Sequence, residues 1–270
     1  MMKRILAVIV LICLPIFLLT SQSQTRKEKK VLVYTKNGEG YVHDNIESSA
    51  KAIQKMGKEN GFKVDVSDDP KAFTKENLAK YSCIVFSNTN NDVFDTDKQK
   101  VAFMRYIQSG GAYVGIHSAC GTERNWQWFT KLTGGTFDVH ASFQEFTVKV
   151  IDHNHLSTKD MPDEWTIKDE CYFVKDMNPA IRVLITNDLS TIEDDRKDTF
   201  PTLFGNDFPG AWYHEYQGGR SFYTSYGHSP EDYENPIFVK HILGGIQYAI
   251  GDNKELDYSK AIATSPDSPY

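Results

Sequence analysis

Residues 110–121, GGAYVGIHSACG, have the form of a strand entering a very tight turn, with the small residues Gly115 and Ala119 two before and two after its tip. Turns of this form usually present a nucleophilic Ser or Cys at the carboxyl edge of a parallel sheet, near backbone N–H groups that can hold an oxyanion. Here the tip is His117, and a cysteine follows only three residues later, at Cys120. Imidazole is an unusual acyl nucleophile but a good proton carrier and metal ligand, so the pattern predicts acid–base or metal chemistry with His117 at the mouth of a crevice. Cys120 is off the tip and reads as a packed bystander.

Other residues can join that chemistry. Among the eight histidines, His43 follows the loop of the first strand and opens at the same edge as His117. His140 and His228 are further candidates, each of which could instead anchor its own loop to a backbone carbonyl. His153 and His155 sit in a polar turn, while His214 and His241 read as structural. Glu170, in KDECYF, is the carboxylate to single out. Asp169 and Glu170 are adjacent in an extended segment, so their side chains point to opposite sides and only one can face a site. Trp212, Phe222, Tyr223 and Tyr226, with Trp126 and Trp128 beyond the turn, could form a sugar-stacking wall or ordinary core. No HxxEH pair joins the candidates, and DHNH offers only a turn-borne H-x-H, so a divalent ion stays open and unnamed.

Elements must bring these groups together. Apolar runs at 31–35, 62–66, 83–87 and 112–116 read as strands, and Ile46, Ala50, Ile53 and Gly57, stopped by Gly61, predict a helix over 43–60. A short helix falls near 74–80. Thr96 and Gln99 form a capping box that opens a helix through Val101, Met104 and Ile107, which Gly110-Gly111 ends. Nearly all-apolar strands alternating with helices indicate an α/β fold with a parallel sheet covered on both faces. The second half adds strands at 143–151 and 182–186, a hairpin over 211–226 turning at Gly218-Gly219, and a closing helix at 236–250. The polar stretch 253–270 reads as a frayed tail.

Lys3 and Arg4 followed by the apolar run 5–19 and small residues at Ser21 and Ser23 read as a signal peptide over 1–23, with a charged lead-in over 24–30. The run is shorter than the ~20 residues that span hydrocarbon, so the expectation is a periplasmic or secreted protein with no stable membrane span after processing. Losing those two positive charges takes the net charge from −6 to −8, which argues against nucleic acid as a partner. Cys83, Cys120 and Cys171 are widely spaced and give neither a disulfide framework nor a CxxC metal pair.

Several segments occur together and in order: an early loop ending in GYVH, then GGAYVGIHSA, LTGGTFDVH, DHNHLSTKDMPDEWTIKDECYF, and PGAWYHEYQGGRSFYTSYGH followed by NPIFVKHILGGIQYAIG. In this the chain resembles the trehalose-utilisation (ThuA-like) family over residues 31–252. The resemblance implies a class I glutamine amidotransferase-like (flavodoxin-like) fold with added hairpin segments, in which histidine replaces the catalytic cysteine. It also implies a catalytic set of His117, Glu170, His43, His140 and His228, with Tyr172 on the side of Glu170. Tyr172, Trp212 and Arg220 are the candidate substrate contacts; Glu170 could alternatively pair with Arg220 or a lysine. The implied function is a carbohydrate enzyme acting on oxidised (3-keto) sugars or glycosides by proton transfer, with a sugar dehydrogenase acting upstream. The alternative is a non-catalytic sugar-binding module that has lost its nucleophile.

Overall fold

The computed structural model describes residues 28–268. The expected signal peptide, and most of the lead-in, lie outside the described residues. A nine-stranded sheet forms the centre, in the order β2-β1-β3-β4-β11-β10-β9-β6-β7. Its first half is parallel: β1 (Lys30–Tyr34), β2 (Lys63–Ser67), β3 (Cys83–Ser87), β4 (Ala112–Ile116) and β11 (Gly219–Thr224). Every residue of β3 and β4 is buried, as expected of strands covered on both faces. The second half is antiparallel, through β10 (Asp207–Tyr216), β9 (Arg182–Asp188), β6 (Gln144–Val150) and β7 (Glu164–Asp169). A separate two-stranded ribbon pairs β5 (Thr136–His140) with β8 (Tyr172–Lys175).

Helices α1 (Ile46–Asn60) and α5 (Pro236–Ile250) cover one face, and α2 (Lys75–Leu78), α3 (Asp97–Gln108) and α4 (Gln127–Thr133) the other. The capping box at Thr96 and Gln99 is present and starts α3 one residue later. No helix among the described residues is long and apolar enough to cross a membrane.

The tight turn opens into a 3-10 segment over His117–Gly121. Two readings of the sequence need correction. The hairpin turns one residue earlier than expected, because Gln217 and Gly218 both take positive φ (48° and 89°), the pair of values a two-residue turn needs to match strand twist. The polar tail is docked rather than frayed. Gln108 Oε1 accepts from the backbone N–H groups of Ile262 and Ala263 at 2.9 Å each, and the Trp126 indole donates to Pro266 O at 3.0 Å. These contacts satisfy backbone groups that a free tail would leave to water.

Under α5, His155 stacks on Tyr213 and lies parallel to Phe222, and His241 holds Ser157 O at 3.2 Å. Burial pushes both rings down to about 4, and in each the Nε2 has no hydrogen-bond partner among the described residues. An unfolded histidine titrates near ~6.5, above both folded values. The neutral rings therefore contribute stability that is complete above that pH and is lost as pH falls through about 4. Thermal melts from pH 7 to pH 4 are expected to show a falling Tm, with a shallower fall in His241→Leu; equal slopes in the two proteins would contradict this assignment.

Candidate functional site

The site begins where β4 ends. Ile116 is extended, His117 turns into the left-handed region with φ 53°, and the chain continues as the 3-10 segment. Such a φ is costly for a non-glycine residue and persists only where its surroundings fix it. Here the Tyr223 hydroxyl donates to the His117 carbonyl at 2.8 Å, and the imidazole Nδ1–H donates to Ser225 O at 2.8 Å. Gly115 has no alternative: a Cβ there would lie 2.4 Å from the Tyr113 hydroxyl and 2.9 Å from the Tyr223 ring.

With Nδ1 engaged, Nε2 of His117 carries its lone pair into a group of converging atoms. Around it stand Tyr172 Oη at 3.0 Å, His43 Nε2 at 3.1 Å, His228 Nδ1 at 3.3 Å and Glu170 Oε2 at 3.8 Å. Glu170 Oε2 is also 3.2 Å from His228 Nδ1, while its other oxygen, Oε1, is 3.4 Å from His140 Nδ1. His43 keeps its orientation through Ser118 Oγ, 3.3 Å from Nδ1. His228 is set by its own backbone: Asn45 holds the carbonyls of Gly227 and His228, and Asp169 accepts from their N–H groups.

Electrostatics divide the cluster. Burial drives His117 far below the ordinary histidine value, helped by His43, and brings His43 to about 4. Both are neutral imidazoles at neutral pH. His228 goes the other way: burial would lower it, but the Glu170 carboxylate outweighs burial and raises it. Glu170 is correspondingly held below its usual range, despite its burial, by His228 and His140. Burial, with Asp232, pushes Asp169 up, against three backbone N–H donors.

His43, His117, His228 and Glu170 each offer one ligand atom, all within 4.8 Å of one another. Three imidazole nitrogens and a carboxylate oxygen suit zinc, nickel, iron or manganese. Neutral imidazoles are the ligating form, and the Ser225 carbonyl behind His117 is the kind of outer partner that orients a ligand histidine. His117 is not at the mouth of the crevice, as the sequence suggested. Its ring is fully buried, because the left-handed turn places it beneath His43, Tyr172 and His228.

A cavity of about 330 Å³ opens above the cluster, lined by His43, His140, Glu170, Tyr172 and His228. His140 and Tyr172 face each other across the β5–β8 ribbon. A bulge between Phe137 and Val139 lets Phe137 and His140, three positions apart, share the cavity wall. Adjacent Asp169 and Glu170 do point apart, one to the 227–228 loop and the other to the histidines.

Two expected substrate contacts lie elsewhere. Trp212 is fully buried, and its indole donates to Thr133 O beneath α4. Arg220, opposite Ala112 at the amino end of β4, caps the last carbonyls of α5, Ala249 O and Ile250 O, at the sheet edge away from the cluster. Phe222, Tyr223, Tyr226, Trp126 and Trp128 are core as well. The aromatics at the cavity are Tyr41, Phe137 and Tyr172, with the Phe143 ring tilted at 42° and centred 5.1 Å from the His228 ring. Asn90, Ser118 and Arg124 also line it and were not singled out from the sequence. One signal was available: residues 88–92 follow β3 at the carboxyl edge, where open α/β sheets bind ligands.

The family model described as ThuA, trehalose utilisation, matches residues 30–249. Among solved structures, a ThuA-like protein from Bacteroides uniformis ATCC 8492 superposes with a TM-score of 0.69 at 23% identity, covering 87% of this chain and 96% of that one. A ThuA-like protein from Parabacteroides merdae ATCC 43184 gives 0.65 at 20% identity, with 83% and 90% covered. A cold-adapted β-galactosidase from Rahnella sp. R3 gives 0.52 at 11% identity, covering 82% of this chain and 31% of that one. Among curated protein sequences, none matches the chain.

Two outcomes follow from this geometry. Asp169→Asn turns an NH2 toward backbone N–H groups and loosens the His228 loop, so ligand or metal affinity should fall about 10–100-fold with the fold retained; titration calorimetry beside a thermal melt checks this. Burial raises Cys83 and Cys171 well above the usual thiol range and Cys120 to about 12. Iodoacetamide should therefore leave these three thiols unmodified in the folded protein, and rapid labelling of Cys120 by mass spectrometry would return it to the list of nucleophiles.

Proposed function

The chain belongs to the ThuA family of trehalose utilisation, and from that premise we propose that it is a carbohydrate enzyme acting on oxidised (3-keto) sugars or glycosides by histidine and glutamate proton transfer. The observation that carries this reading is the convergence of three imidazoles and one carboxylate on a 330 Å³ cavity. A keto group acidifies the C–H bond beside it. Removing that proton gives an enediolate, which either takes a proton back at the neighbouring carbon and isomerises, or expels the glycosidic oxygen as an alcohol. Both outcomes need a base, a proton donor and stabilisation of the developing oxyanion.

The two oxygens of Glu170 divide these tasks. Oε2 belongs with His43, His117 and His228, the set that fits a divalent ion. Such an ion supplies Lewis-acid polarisation of a carbonyl. Oε1 faces His140, whose Nδ1–H is held by the Ala141 carbonyl at 2.8 Å, leaving Nε2 as the basic nitrogen on the cavity wall. His140 takes the proton and returns it to the neighbouring carbon or to the departing oxygen. The Tyr172 hydroxyl, kept protonated by burial, stands by as a hydrogen-bond donor. The keto sugar would come from an upstream dehydrogenase, and the charged, apolar start of the chain favours a periplasmic or secreted setting.

Incubating the protein with 3-keto-trehalose and 3-keto-glucosides in D2O should place deuterium beside the carbonyl, read by NMR, or release free sugar. His140→Gln should slow this by about 10²–10⁴-fold without reducing bound metal, whereas His117→Ala should lose the metal, measured by elemental analysis. A protein that binds unoxidised saccharides and never exchanges or releases these substrates is a binding module instead.

A further inference from the structure

Beyond the histidine cluster, the cavity wall carries a cation that the proton-transfer chemistry does not use. Arg124 follows the 3-10 segment and lines the cavity with Asn90 and Phe137. Its guanidinium is fixed at three points: Nε donates to Gly121 O at 3.1 Å, Nη2 donates to Asn90 Oδ1 at 3.1 Å, and Cζ lies 4.9 Å from the centre of the Phe137 ring. Its natural counter-ion would be the adjacent Glu123. That residue takes a left-handed φ of 49°, and its buried carboxylate is committed elsewhere, to Lys100 Nζ at 2.6 Å and to the N–H groups of Val93 and Phe94. The backbone thus separates two neighbouring opposite charges, sending one inward and the other to the cavity. No carboxylate among the described residues lies within ion-pair distance of Arg124. Glu170 is the one carboxylate on this wall, and it faces the histidines. A chain of net charge −6 therefore places an unneutralised guanidinium beside imidazoles in its cavity, a local field that draws anions.

We infer that Arg124 forms an anion subsite taking the carboxylate of an acidic sugar, a uronate or aldonate unit of the molecule whose keto ring meets the cluster. A planar guanidinium fixed on an aromatic face presents its remaining N–H groups as a fork matched to two anionic oxygens, which a hydroxyl cannot pair as well. The assignment rests on the cavity being the sugar site proposed above, and it names the class of sugar.

Calorimetry with glucuronate and with its neutral methyl ester tests it without requiring turnover. The wild-type protein should bind the acid roughly tenfold tighter than the ester, the range of a charge-assisted hydrogen bond. Arg124→Gln should erase that difference, with the loss falling mainly on the acid. Arg124→Lys, which keeps the charge and loses the fork, should retain part of it, and it also serves if the glutamine variant does not fold. Equal binding of acid and ester by the wild type, including none, or a preference that survives Arg124→Gln, overturns the inference. Glucose 6-phosphate run in parallel separates the two anion sources: tighter binding than glucuronate would overturn the carboxylate assignment. If the acid is preferred while 3-keto sugars are never turned over, the subsite stands and the proposed reaction falls; neutral 3-keto turnover without acid preference gives the reverse.

Discussion

The architecture of the site depends on one backbone torsion, the left-handed φ of His117. An extended residue there would let the strand continue, and the imidazole would point to one face of the sheet. Instead the chain reverses, and the ring drops below the cavity floor with one nitrogen on the Ser225 carbonyl and the other free for neighbours. Tyr223, one strand away in the parallel ladder, secures the turn by taking up the His117 carbonyl, and its ring, with the Tyr113 hydroxyl, leaves position 115 no room for a side chain. Fold and site are coupled at this point, since the same tyrosine packs the sheet and fixes the imidazole.

The sheet is half parallel and half antiparallel, and the halves contribute differently. The parallel half supplies the floor, through His117 and the loops that carry His43 and His228. The antiparallel half and the ribbon supply the wall, through Glu170, Tyr172 and His140. Joining them requires small polar anchors more than large apolar ones. Asn45 holds the carbonyls of residues 227 and 228, and Asp169 holds their amides from the other side. The His228 ring is thereby placed by groups drawn from both halves.

The sequence made the floor legible because tight turns and strand alternation obey local rules. Small residues around position 117 follow from backbone crowding, and the opposed directions of Asp169 and Glu170 follow from the two-residue period of extended chain. The wall was less legible. Arg124, Asn90 and Tyr41 stand on loops whose course is set by contacts far along the chain, such as Arg124 with Asn90, and no periodicity marks them. Trp212 and Arg220 were misplaced for a related reason. An aromatic or a cation carries no label for which edge of the sheet it serves, and only the register of β11 against β4 shows that Arg220 lies at the amino end. The tail was legible as polar, but not as docked, because its partners, the amide oxygen of Gln108 and the indole N–H of Trp126, belong to distant elements, and only scattered residues such as Ala263 reach the core.

The bulge in the ribbon has a consequence for how this wall can vary. One extra residue, Asp138, keeps Phe137 and His140 on the same side of a two-stranded element that is not hydrogen-bonded into the main sheet. Loss of that residue would restore an even ladder, yet Phe137 and His140 would then stand two positions apart and still share a side, so the imidazole would keep facing the cavity while the nine-stranded framework stayed untouched. Related chains could therefore lose or regain the bulge by a single-codon deletion or insertion and keep this proton carrier on the cavity wall.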